Sequence, residues 1–173
     1  MGQTDAVMNN LAIEYQQDFY SWLCHNVRLL RKGRLSDADV ENIAEELDGM
    51  SKSQQRELVS RLRILLAHLL KWQFQPEYRS KSRKGTIAEQ RSQIKQLLKI
   101  SPSLKNRMDE KVGDAYADAV EYSSLETGIP ESDFPQTCPY PLHQALDKNF
   151  YPDAEDVKDQ FLVSAAAKKC PLS

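Results

Sequence analysis

Only three cysteines, Cys24, Cys138 and Cys170, occur in this chain of 173 residues. An odd number at such wide spacing makes neither a disulfide framework nor a zinc knuckle, and it suits a reducing cytoplasm. No apolar run approaches the ~18 residues that a membrane span requires; the longest, Ile64–Leu70, is interrupted by His68. The N-terminus MGQTDAVMNN has neither a basic leader nor an apolar stretch, so secretion is not expected. It also lacks Ser or Thr at its sixth position, which weakens a myristoylation reading of Gly2. No segment alternates as a strand would, and no internal repeat or low-complexity tract is present. Catalytic and cofactor motifs are missing as well: Cys24 and His25 point apart on a helix, and Cys138 with His143 is too sparse for zinc. We therefore expect no metal and no cofactor.

What remains is helical periodicity and an uneven distribution of charge. The net charge is −2. Between Lys52 and Lys111, 15 Lys/Arg stand against 5 Asp/Glu, a balance of +10, whereas the rest of the chain holds 8 against 20. A hydrophobic fraction of 40% is enough for a real core in a chain this long.

The periodicity predicts an all-α, compact helical bundle of about five helices with a proline- and aromatic-rich, irregular C-terminal cap. Residues 1–14 form an extension, 15–152 the bundle with its cap, and 153–173 a tail or peripheral helix. The first helix runs from about Tyr15 to Arg31, with Phe19, Trp22, Leu23, Leu29 and Leu30 on one broad face and Gly33 at its end. A second starts at Ser36, carries the stripe Val40, Ile43, Leu47 and Met50, and stops at Gly49. A third, central helix is expected to begin near Ser51 or Ser53, with Ser51 and Gln54 as a capping box, and its seam is Leu58, Leu62, Leu65, Leu69 and Trp72. Pro76 ends it.

Residues Glu77–Gly85 read as a basic loop, after which Thr86 and Glu89 cap a fourth helix through about Ile100. Ser101-Pro102 opens a fifth, and Thr127-Gly128-Ile129-Pro130 stops it. Beyond Pro130 the aromatics Phe134, Tyr140, Phe150 and Tyr151 are expected to lie against the bundle, around a single helical turn at Leu142–Leu146. Ala154–Lys169 has the pattern of a modest last helix.

Polar groups at core-like helical positions are costly and need partners, a ligand or a task. Arg61, His68 and Gln75 stack along one line of the central helix, with Lys71 and Trp72 beside them. Arg91 falls inside the apolar face Ile87, Ile94 and Leu98 of the next helix, where a guanidinium calls for a carboxylate. Glu46 is the expected partner of Arg91 or of Arg63. His68, Lys71 and Arg91 are the candidates for catalysis, and none is committed as a catalytic residue. Arg79, Lys81, Arg83 and Lys84, with Trp72 and Gln75, are candidates for binding.

The segment HLLKWQFQP, with DFYSWL at 18–23, RKGR at 31–34, ENIAEEL at 41–47, TIAEQR at 86–91, SPSL at 101–104, AYADA at 115–119, ETGIP at 126–130 and a late CPY and LDKNFYP, resembles a known pattern. It is similar to the domain-of-unknown-function family numbered twenty-nine, small all-helical bacterial proteins abundant in cyanobacteria. The resemblance covers about residues 15–152. It implies a helical bundle and supplies no catalytic residues. One position departs: where the family usually has Trp after the serine of the basic segment, this chain has Arg83.

Three functional readings follow. The first is a cytoplasmic protein-interaction or regulatory module, with a protein partner or a second copy of the chain. The alternative is a nucleic-acid-binding, toxin–antitoxin-like regulator that uses segment 79–84. The second alternative is a phosphodiesterase-type enzyme around His68, with Lys71 and Arg91 holding phosphate. Enzymatic activity is the less expected outcome, and no membrane partner is expected.

Overall fold

The computed structural model describes residue 11 and residues 13–153, and the predicted last helix at Ala154–Lys169 lies outside them. The described chain is all-α, without a strand. Its long helices are α1 (Phe19–Arg31), α2 (Val40–Phe74), α3 (Lys81–Ile100) and α4 (Met108–Thr127), followed by the single turn α5 (Leu142–Ala145). No described helix is long and apolar enough to cross a membrane. The chain divides into two compact units, Met1–Gln54 and Gln55–Ser173, and α2 runs from one into the other.

In the first unit a short helical stretch at 13–17 is interrupted at Asp18, whose extended backbone lets its carboxylate accept from Ser21 N–H at 3.0 Å and cap α1. The expected helix from Tyr15 is thus two pieces. Gly33, at φ 68°, lets the chain turn after α1. A small core of Leu11, Trp22, Leu29 and Ala38, joined by Tyr15 and Ile43, holds the unit together. Its polar groups are matched. Trp22 Nε1 donates to Asp39 Oδ2 at 3.0 Å, and Asn26 donates to the Trp22 carbonyl while accepting from Asp39 N–H.

Gly49 does not end the second predicted helix. Val40–Phe74 is one helix of 35 residues, so the two predicted segments are continuous and Ser51 caps nothing. Glycine in a helix costs ~1 kcal/mol against alanine, and Gly49 keeps a negative φ. A stop needs more than that. Every residue from Leu47 to Ser53 is exposed, so this stretch of α2 has no packing of its own. The expected buried stripe is correspondingly open: Val40 is 52% exposed, Leu47 61% and Met50 62%.

In the second unit the seam Leu58, Leu62, Leu65, Leu66, Leu69 and Leu70 of α2 is sealed by Ile87, Ile94 and Leu98 from α3 and by Ala115, Tyr116 and Ala119 from α4. α2 ends at Phe74, just ahead of Pro76. The basic segment is not a loop. Ser80 accepts from Arg83 N–H at 3.1 Å and caps α3, which begins at Lys81 and runs through Gly85 and Thr86. Lysine and arginine are good helix formers, and the serine cap outcompetes Thr86, whose hydroxyl donates back to the Ser82 carbonyl. After Ser101, Pro102–Arg107 is a 3₁₀ stretch and α4 starts only at Met108. Gly128, at φ 72°, ends α4 in the left-handed conformation that glycine adopts without steric cost. Phe134 and Tyr140 are buried in the core, and Phe150 and Tyr151 pack against it.

Candidate functional site

The polar candidates between positions 63 and 91 resolve into three separate arrangements. The first surrounds Lys71, which is 4% exposed although cationic. Its ammonium donates to the Glu126 carboxylate and lies 5.1 Å from the centre of the Tyr122 ring, over which Arg63 also sits at 5.9 Å. Glu126 is held below the usual carboxylate range by its bond from Lys71 and then by one from Tyr122. His68 is adjacent. Burial, reinforced by the Lys71 charge, lowers its pKa to about 4, so its imidazole is neutral at neutral pH, and its buried Nδ1 has no hydrogen-bond partner among the described residues.

The second arrangement closes the C-terminal end of α2. The last carbonyls of a helix have no partner within it and carry its negative dipole end. Arg79 Nε donates to the Trp72 carbonyl at 2.9 Å, and Arg83 Nη1 to the Lys71 carbonyl at 2.8 Å. Arg83 also reaches Gln75 Oε1, at 3.3 Å. Arg79 lies 5.3 Å from the Trp72 ring, and its other end reaches the Pro152 carbonyl. Arg83 is therefore a cap of the end of α2. Lys84 sits 5.0 Å from the Tyr151 ring, and Lys81 is exposed.

Arg91 belongs to the third arrangement. Its guanidinium donates to the carbonyls of Ala145 (2.7 Å), Lys148 (3.5 Å) and Phe150 (2.6 Å), and it stacks 5.2 Å from Tyr151. It closes the end of α5 and fastens the C-terminal segment to α3. Nearby, Tyr140 donates to Gln73 Oε1 at 2.5 Å, and Gln73 donates to the Asp153 carbonyl at 3.1 Å. For the expected ion pair of Glu46 with Arg91 or Arg63, the structure gives each member a different partner. Glu46 instead accepts from the Tyr15 hydroxyl at 2.5 Å, Arg63 faces the Tyr122 ring, and backbone carbonyls satisfy Arg91.

His68 and Lys71 thus come together, while Arg91 serves elsewhere. A neutral imidazole beside an ammonium has the elements of acid–base chemistry. Here Lys71 is engaged by Glu126 and Tyr122, and Arg83 by carbonyls. Sequence reasoning missed Glu126, Tyr122 and the cap carbonyls. Carbonyls leave no trace in residue types, and no spacing rule links position 71 to 126.

The first unit presents a different kind of feature. A groove of about 620 Å³ runs along α1, lined by Leu23, Cys24, Val27, Arg28, Arg31 and Lys32. Phe19, Leu23, Val27 and Leu30 recur at helical spacing on the same helix, and all are exposed. The clue in the sequence was breadth: the apolar face of α1 is wider than its small core can cover.

The described residues thus make an all-helical protein whose second unit carries arginine-to-carbonyl clasps. A family model described as Domain of unknown function DUF29 matches residues 14–151, and the chain belongs to that family. No curated protein and no solved structure matches it.

Proposed function

We propose that the chain is a cytoplasmic protein-interaction module whose contact surface is the exposed apolar face of its first unit. The observation that carries this reading is the concentration of uncovered apolar side chains. Of 14 large hydrophobic residues that are exposed among the described residues, 10 fall between Ile13 and Met50. Exposed apolar side chains grouped along one helix face, as Phe19, Leu23, Val27 and Leu30 are on α1, mark interaction sites. The basic segment offers less: Arg79 and Arg83 each direct a donor to a carbonyl at the end of α2, which leaves fewer for phosphate contacts. The His68 region likewise binds its own cation to its own carboxylate.

The test is affinity isolation of the wild-type chain beside a Leu23→Glu/Val27→Glu variant. The reading expects a protein that copurifies with the first, is released by the second, and rebinds when both components are pure. Retention by the variant would defeat it.

A further inference from the structure

We infer that the occupant of the α1 face is a second copy of this chain, which lays the acidic front of its own α2 into the groove. This rests on the interaction reading and names its partner. Charge is divided sharply between the two stretches concerned. Residues 19–34 carry four cations, Arg28, Arg31, Lys32 and Arg34, and no acid. Residues 35–48 carry six acids, Asp37, Asp39, Glu41, Glu45, Glu46 and Asp48, and no cation. Arg28, Arg31 and Lys32 enter no ion pair among the described residues, and neither do the exposed Glu41 and Glu45.

Each helix repeats one layout, a buried side, an apolar flank and then a charged flank. On α1 these are Trp22, then Leu23 and Val27, then Arg28 and Arg31; on α2 they are Ile43, then Val40 and Leu47, then Glu41 and Glu45. The apolar flanks match in kind, and the charged flanks are opposite in sign. Complementarity between two patches of one chain produces a closed pair when a twofold axis exchanges them, so each contact is made twice.

A second observation points the same way. The stretch Leu47–Ser53 of α2 is exposed on every side and contains Gly49, Ser51 and Ser53, which are poor helix formers. Helices derive most of their stability from packing. A partner's α1 laid along Val40–Met50 supplies that packing.

The experiment is sedimentation velocity of the purified full chain over a range of concentrations, with reductant present so that exposed Cys24 forms no crosslink. A dimer is expected, weakened about tenfold by high salt because its rim is ionic. Arg28→Glu/Arg31→Glu and Glu41→Lys/Glu45→Lys should each be monomeric, with helix content and melting curve checked by circular dichroism. Mixing these two folded, charge-reversed chains restores opposite charge at both contacts at once and should return a heterodimer. A wild-type monomer at every concentration, or reversed chains that stay monomeric when mixed, would overturn the inference. The interaction reading fails separately, by retention of its partner on the Leu23→Glu/Val27→Glu chain.

Discussion

Arg91 Nη2 donates to the Phe150 carbonyl at 2.6 Å and ties α3 to a segment 59 positions later in the chain. With the bonds to Ala145 and Lys148 it makes one buried side chain the fastener of the C-terminal segment. Hydrogen bonds to a charged group contribute ~1.5–3 kcal/mol each, and orphaned buried carbonyls add a penalty. Arg91→Ala should cost about 3 kcal/mol in urea unfolding and accelerate amide exchange in residues 142–151 first. Arg91→Lys should recover little, since a single ammonium cannot serve three diverging acceptors.

His68 makes stability depend on pH. Its folded pKa lies near 4 against an ordinary 6.5. Between those values the unfolded chain binds a proton that the folded chain refuses, so stability rises with pH across that window and declines on acidification. The loss from pH 7 to pH 4 stays below about 3 kcal/mol, because solvent screens an imidazole that is only partly buried. His68→Gln should flatten the difference between denaturation midpoints measured at the two pH values. An imidazole titrating near 6.5 by NMR in the folded protein would contradict this account.

Two glycines should respond in opposite directions. Gly49 sits in α2 with open space where an alanine methyl would stand, so Gly49→Ala should raise stability by ~0.5–1 kcal/mol. Gly128 needs its φ of 72°, and Gly128→Ala should lower stability by ~1 kcal/mol. Thermal melts of the two variants decide both claims.

Asp39 is the hub of the first unit, accepting from buried Trp22 Nε1 and from Asn42. Asp39→Ala removes that acceptor and the cap at the start of α2, at a cost of about 2 kcal/mol. Tryptophan fluorescence should then report Trp22 becoming more exposed during denaturation at lower urea than in the wild type.

The helices of the second unit were readable because apolar residues recur at helical spacing from Leu58 to Leu70 and from Ile87 to Leu98, and because Gly128 and Pro76 are strong stops. The run through Gly49 was not readable, since local propensity weighs ~1 kcal/mol and continuity is decided by the whole helix. The start of α3 turned on a competition between Ser80 and Thr86 as caps, which composition cannot settle. At the candidate site, the need of Arg91 for a partner was plain from its place among Ile87, Ile94 and Leu98. The identity of that partner was not, because a carbonyl can belong to any residue the chain happens to bring near.

Clasps onto the main chain also constrain how this protein can change over time. Arg79, Arg83 and Arg91 grip main-chain oxygens of Trp72, Lys71, Ala145, Lys148 and Phe150. Substitution of an acceptor residue leaves its oxygen in place, whereas substitution of an arginine removes the grip. Tolerance is therefore one-sided. An exposed acceptor such as Lys148 can drift to other residue types without loosening the clasp, while exchange of any of the three arginines, even for lysine, loosens it.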